Sequence, residues 1–256
     1  MNLKYILGCI ISLPLLPLLY IQGKNIRKKV PKLPEAKEPK GFVNGNFSKT
    51  LHILSIGEST IAGVGVAYHK NGFTGALANA LSKELKSNIN WKVYAKSGYT
   101  VKQICKKIVP KIEETSTDVI VIGMGGNDAF TLNSPKKWID DISNLIELLQ
   151  DKFPNVPIFF TNMPPIKEFP AFTKSIKFVI GNLAEILGEE LYFFVKNKKN
   201  VFYNDEIIKL KTWSKRHQLP NNNSKIYFSD GVHPSELTYQ IWAREMGYFI
   251  KQKLFS

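Results

Sequence analysis

Apolar residues along this chain alternate between two rhythms. Short unbroken runs come first: LHILSIG (51–57), WKVYAK (91–96), DVIVIGMG (118–125), PIFFTNMPP (157–165) and VFYN (201–204). Continuous runs of this length, rich in β-branched and aromatic residues, suit strands buried on both faces. Between them the apolar spacing turns helical: FTGALANALSKEL (73–85), residues 101–113, residues 135–152, the stretch from Lys174 to Lys196, and Ser235 to Lys253. In 135–152 the stripe is Trp138, Ile142, Leu145, Ile146, Leu148 and Leu149, and Pro135 suits a first turn. Five strand–helix units in sequence predict an α/β fold: a three-layer αβα sandwich around a five-stranded parallel sheet.

The first 46 residues keep neither rhythm. Tyr5 to Gln22 (YILGCIISLPLLPLLYIQ) carries no charge over about 18 residues, the lower limit for crossing a bilayer core of about 30 Å. Pro14 and Pro17 would kink such a helix, which membrane helices tolerate. The segment IQGKNIRKK at its C-terminal end holds no small-residue cleavage site, and Cys9 lies too early for a lipid-modified signal. An uncleaved single transmembrane helix is therefore expected. Lys24, Arg27, Lys28 and Lys29 flank its C-terminal side. By the positive-inside rule the domain is then cytoplasmic, with a periplasmic or extracellular placement as the alternative. The chain thus divides into an anchor (1–23), a basic linker containing Pro31, Pro34 and Pro39 (24–46), and a globular domain (47–256).

Composition narrows the function classes. Of 256 residues, 44% are hydrophobic and 22% charged, which excludes disorder for the bulk of the chain. The net charge of +14 is mostly Lys, spread along the chain and thickest after the apolar segment. No nucleic-acid-binding signature accompanies it, so the surplus reads as solvation and attraction to a membrane surface. Two cysteines, Cys9 and Cys105, form neither a disulfide framework nor a zinc spacing.

Three short motifs follow predicted strands and a fourth precedes the last predicted helix, all at the edge where open parallel sheets place their chemistry. Gly57-Glu58-Ser59 ends the first strand, with Gly63 and Gly65 nearby; such a serine can be a plain helix cap or a nucleophile. The second position after Ser59 is Ile61, so the G-x-S-x-G elbow is absent. A nucleophilic hydroxyl needs a base, and among His52, His69, His217 and His233 only His233 has an acid close by, Asp230, in FSDGVHPS. Gly125-Gly126-Asn127-Asp128 reads either as a simple turn or as an amide donor aimed at a developing oxyanion. It is not a dinucleotide loop, because Asp128 stands where the last glycine of G-x-G-x-x-G is required. Ser97-Gly98-Tyr99-Thr100 offers a further backbone N–H.

Taken together and in this order, the four motifs resemble the sequence blocks of the SGNH (GDSL-like) hydrolase family, over about residues 51–245. The resemblance implies the flavodoxin-like SGNH fold and a serine ester hydrolase. Ser59 matches the nucleophile, with Asp230 and His233 completing a triad, and Ser59, Gly98 and Asn127 match the oxyanion hole. It also implies acyl transfer through an acyl-enzyme, with no metal or organic cofactor. Glu58 departs from the usual G-D-S, and Thr60 stands in place of the leucine. Lipid or small acyl and acetyl esters near a membrane are the expected substrates, and Phe169 and Phe172 either line an acyl pocket or simply pack. A carbohydrate O-acetyl esterase is the alternative, and a catalytically idle membrane-bound binding module is a more distant one.

Overall fold

The structure, a computed structural model, describes residues 2–219 and 224–255. Its centre is a sheet of six strands: β1 (Lys40–Val43), β2 (Thr50–Gly57), β3 (Asn88–Ala95), β4 (Val119–Gly123), β5 (Ile158–Phe160) and β6 (Val201–Tyr203). Their order is β1-β3-β2-β4-β5-β6. Five strands run parallel; β1 pairs antiparallel with β3, Gly41 opposite Trp91. The expected five-stranded parallel sheet is therefore six-stranded and mixed, and the added strand lies within the stretch expected to be linker.

Alternation within the strands explains why their apolar runs are unbroken. Leu54, Ile56, Ile120, Ile122, Ile158 and Phe160 point into one core, and Ile53, Val119, Val121 and Phe159 into the other. With both faces covered, the central strands are apolar from Ile53 onward except for the fully buried Ser55. The first core is roofed by α4 (Val101–Lys107), α6 (Pro135–Lys152) and α7 (Lys174–Val195), the second by α3 (Phe73–Leu85) and α9 (Glu236–Leu254). Trp138 locks α6 to α7, fully buried with its indole N–H donating to the Leu187 carbonyl at 3.1 Å. Ser134, Thr173 and Ser235 cap α6, α7 and α9 by accepting N–H bonds from their first turns. The expected helix over 101–113 stops earlier, because Pro110 brings no N–H and a 3-10 turn (Val109–Lys111) replaces the last turn. The short helices α5 (Gly126–Phe130) and α8 (Leu210–Arg216) complete the domain.

The N-terminal segment is helical throughout, as α1 (Leu3–Ser12), a 3-10 turn at Leu13–Leu15 around Pro14, and α2 (Leu16–Lys29). It is long and apolar enough to cross a membrane. It lies along α7 through polar contacts, Asn2 with Glu190, Lys4 with Glu189 and Gln22 with Thr173, and through Tyr5, Leu15, Leu19 and Ile26, which pack partly buried against the first core. None of its residues is buried, and Leu7, Ile10, Ile11, Leu13, Leu18 and Ile21 are exposed. Cys9 is exposed and Cys105 buried, both as free thiols.

Candidate active site

The site forms at the C-terminal edge of the parallel strands. β2 ends in Gly57, where a Cβ would lie 2.3 Å from the Gly123 carbonyl, so only glycine lets the ends of β2 and β4 come this close. The chain then makes one tight turn, with Ala62 N–H donating to the Glu58 carbonyl and Val64 N–H to that of Ser59. This turn presents Ser59 half-buried at the sheet edge.

Glu58 points the other way, into the protein. Its carboxylate is 4% exposed and accepts three N–H bonds. Gly126 N donates at 2.7 Å, Asn127 N at 2.9 Å, and the Asn127 side-chain amide gives the third. The second hydrogen of that amide reaches the Tyr99 carbonyl at 3.2 Å. Ser59, Gly98 and Asn127 therefore sit on three loops joined by one hydrogen-bonded path through Glu58 and Tyr99. Asp128 extends it: fully buried, it accepts from Val101 N at the start of α4 and from Asn133 Nδ2. Sequence reasoning assigned roles to neither Glu58 nor Asp128, although both acids beside a predicted strand end were a signal that they are buried and bonded.

Gly98 adopts φ +83°, a left-handed backbone, and nothing lies within 4 Å of where its Cβ would be. Conformation rather than space therefore demands glycine here. Among the described residues, the backbone N–H groups of Ser59 and Gly98 have no partner within the protein.

Asp230 and His233 occupy one turn. Asp230 Oδ2 lies 2.7 Å from His233 Nδ1, while Oδ1 accepts the backbone N–H groups of Val232 and His233. Burial opposes ionisation of Asp230, but the hydrogen bonds and charge of His233 outweigh it and hold the carboxyl below its ordinary value. The imidazole is thereby fixed with Nδ1 toward the acid, leaving Nε2 for another partner. This turn packs on the loop that leaves Ser59: Ser229 Oγ donates to the Gly65 carbonyl at 3.1 Å, and Tyr239 OH to that of Val64 at 2.7 Å. No hydrogen bond joins Ser59 Oγ to His233 among the described residues.

The other histidines are accounted for elsewhere. His52 is exposed on β2, and His217 bonds Glu245 and Arg244. His69 is buried, which pushes its imidazole down to about 4 despite the charge of Glu35. Phe169 is buried in an aromatic cluster with Phe172 and Phe228, so it packs rather than lining an open pocket; Phe172 is half-buried against the exposed Phe130.

Glu58 also makes stability depend on pH. Burial pushes its carboxyl from 4.5 up to about 7, against the pull of the Asn127 and Gly126 N–H groups and aided by the charge of Asp128. A value raised on folding means the neutral form is favoured in the native state. That contribution is complete below about 4.5 and is lost as pH rises through about 7. The wild type is therefore expected to lose about 3 kcal/mol of unfolding free energy relative to Glu58→Gln across this window. Urea titrations of both proteins at pH 4.5, 6 and 7.5 check it; a difference that stays constant with pH would count against the assignment.

The GDSL-like lipase/acylhydrolase family model matches residues 55–241 of this chain. Among solved structures, the chain is similar to the Clostridium thermocellum family 3 carbohydrate esterase, with TM-score 0.58 and 20% identity over 80% of this chain and 99% of that one. It is also similar to the lipase Lip_vut3 from a goat rumen metagenome, with TM-score 0.54 and 19% identity over 78% and 97%. A member of the lipolytic protein G-D-S-L family from Veillonella parvula DSM 2008 gives TM-score 0.53 and 17% identity over 78% and 98%. At such identities these likenesses establish the fold. No protein of curated function matches by sequence. The family match, spanning the Ser59 turn, the glycine and asparagine loops and the Asp230–His233 turn, makes the chain a member of the GDSL-like lipase/acylhydrolase family and an ester-hydrolysing enzyme.

Proposed function

We propose that Ser59, His233 and Asp230 act as a catalytic triad on carboxylic esters at a membrane surface. The observation that carries the triad is the Asp230–His233 pair at 2.7 Å, on a turn packed against the Ser59 loop. His233 takes the Ser59 Oγ proton as that oxygen attacks the ester carbonyl, and Asp230 steadies the imidazolium. The oxyanion is received by the Ser59 and Gly98 N–H groups, which have no partner among the described residues, and by the Asn127 amide, which exchanges its Tyr99 carbonyl for it. His233 returns the proton to the departing alcohol. Water then attacks the acyl-enzyme with His233 again as base, releasing the acid and restoring Ser59.

The membrane part of the proposal rests on the N-terminal helix. Its 27 residues, Leu3–Lys29, expose apolar side chains that a bilayer would cover. At 1.5 Å per residue it is about 40 Å long, enough to span a hydrocarbon core of about 30 Å. Insertion gives up the contacts with α7, of which the Lys4–Glu189 pair is exposed and weak. The helix ends at Lys29, and Glu35 already bonds the loop carrying Gly98. Five or six residues reach at most about 20 Å, so the catalytic edge stays close to the basic end of the helix and to any bilayer holding it. Esters of membrane lipids or small acyl esters are therefore the substrates proposed. The basic flank favours the cytoplasmic side, and a reporter fused to the C-terminus that is active only in the periplasm would overturn that placement.

Ser59→Ala is expected to abolish hydrolysis of p-nitrophenyl acetate and labelling by a fluorophosphonate; retention of wild-type turnover would remove Ser59 from the mechanism. Asn127→Ala should lower kcat about 100-fold or more, the usual loss of one oxyanion donor. Its kcat matching the wild type would exclude the amide from that role. Rates across a series of acyl chain lengths separate lipid esters from acetyl groups on carbohydrate: a rate peaking at acetyl, with acetylated oligosaccharide cleaved faster than lipid, favours the carbohydrate O-acetyl esterase reading.

A further inference from the structure

We infer that Glu35 is a positioning residue for the oxyanion loop, acting from a strap that ties the loops of Ser59 and Gly98 together. The inference rests on the ester-hydrolase reading of those two residues. Glu35 lies before residues 55–241, outside the family match. Residues 35–39 cross the catalytic edge, turning at Glu38, whose φ is +57°. Ala36 N–H donates to the Ala62 carbonyl at 3.0 Å, Lys37 N–H to that of Ala67 at 2.9 Å, and His69 N–H to that of Lys37 at 2.9 Å. Further on, Val93 N–H donates to the Pro39 carbonyl at 2.7 Å. The strap is thus stitched by its backbone to the loop leaving Ser59 and to β3.

From that fixed base the Glu35 side chain reaches the other loop. Its Oε1 accepts the Ser97 backbone N–H at 2.7 Å, and its Oε2 meets Lys96 Nζ at 3.0 Å. The Ser97 bond is the shorter and is charge-assisted, whereas both members of the Lys96 pair are substantially exposed. Gly98 itself touches nothing through a side chain, so the bonds of its neighbours set where its N–H points. Those bonds are few: Lys96 N to the Gly57 carbonyl at 3.1 Å, Tyr99 N to that of Lys96 at 3.3 Å, Asn127 to that of Tyr99 at 3.2 Å, and Ser97 N to Glu35. The Glu35 bond is the shortest of the four and lies one Cα from the Gly98 N–H. Removing it leaves that donor free to swing, and a misplaced oxyanion donor weakens transition-state binding while leaving ground-state binding alone.

The test uses the full chain in detergent micelles, with p-nitrophenyl acetate as substrate. Glu35→Ala should lower kcat about tenfold, part of what losing a whole donor costs, with KM within about twofold. Amide hydrogen exchange at Ser97 and Gly98 should quicken in step. Glu35→Gln keeps an acceptor for Ser97 N–H and should restore most of kcat, and Lys96→Met, which breaks only the ion pair, should resemble the wild type. Should Glu35→Ala fail to fold, Glu35→Asp, whose carboxylate is one methylene short, carries the same kcat and exchange readouts. Wild-type kcat in Glu35→Ala or Glu35→Asp overturns the inference, as does a kcat loss that Glu35→Gln shares in full or one without faster exchange at 97–98. An inactive Ser59→Ala beside a fully active Glu35→Ala leaves the hydrolase mechanism standing and removes only the role of Glu35.

Discussion

The carboxylate of Glu58 sits in the protein interior with three N–H groups turned onto it, and the geometry of the catalytic edge comes from meeting that demand. A buried carboxylate without donors costs several kcal/mol, so the donors are obligatory partners. They come from Gly126 and Asn127 at the start of α5, whereas Glu58 itself directly follows β2. The residue beside Glu58 is Ser59, the proposed nucleophile, so satisfying the acid sets its turn against the loop that carries Asn127. Asn127 then spends its other hydrogen on the Tyr99 carbonyl, which brings in the loop of Gly98. A glutamate reaches one methylene further than the aspartate of the usual block, and here that length is used to span two loops.

Parallel topology does the rest of the gathering. Every strand from β2 to β6 delivers its C-terminal end to the same edge, so loops distant in sequence become neighbours without long excursions. The Asp230–His233 turn is placed differently, because it precedes α9 rather than extending a strand of the sheet. Its position comes from Ser229 on Gly65 and from the buried Tyr239 on Val64, contacts that press it against the loop leaving Ser59.

Legible and hidden features of the sequence divide along the same line. β2 and β4 were legible because both faces are buried and their runs are almost wholly apolar; α3 and α6 because one stripe is, and their bounds agree with the spacing. β1 was illegible because KGFV has no pattern of its own: it is an edge strand, only half-buried, and holds its place by pairing with Asn90 and Trp91 of β3. Short α5 and α8 lack the length for a period to emerge. In the candidate site, Ser59, Gly98 and Asn127 were visible as residue types at strand ends, and Asp230 and His233 as an acid and a base three residues apart before the last helix. Glu58, Asp128 and Glu35 were not, because each accepts a backbone N–H from more than 25 residues away, which no local spacing encodes.

The three proposed oxyanion donors are unequal in the free enzyme. The N–H groups of Ser59 and Gly98 have no partner among the described residues, whereas both hydrogens of the Asn127 amide are taken. A neutral ester carbonyl is no better an acceptor than the Tyr99 carbonyl that already holds one of them, so ground-state substrate gains little by displacing it. An oxyanion is a far stronger acceptor and shifts that exchange in its own favour. In the proposed mechanism, Asn127 therefore contributes chiefly as charge develops, which raises kcat without tightening ground-state binding. The Glu58 bond keeps the amide at its station while the Tyr99 bond is released, so the same buried acid that builds the edge also lets one donor change partners without leaving it.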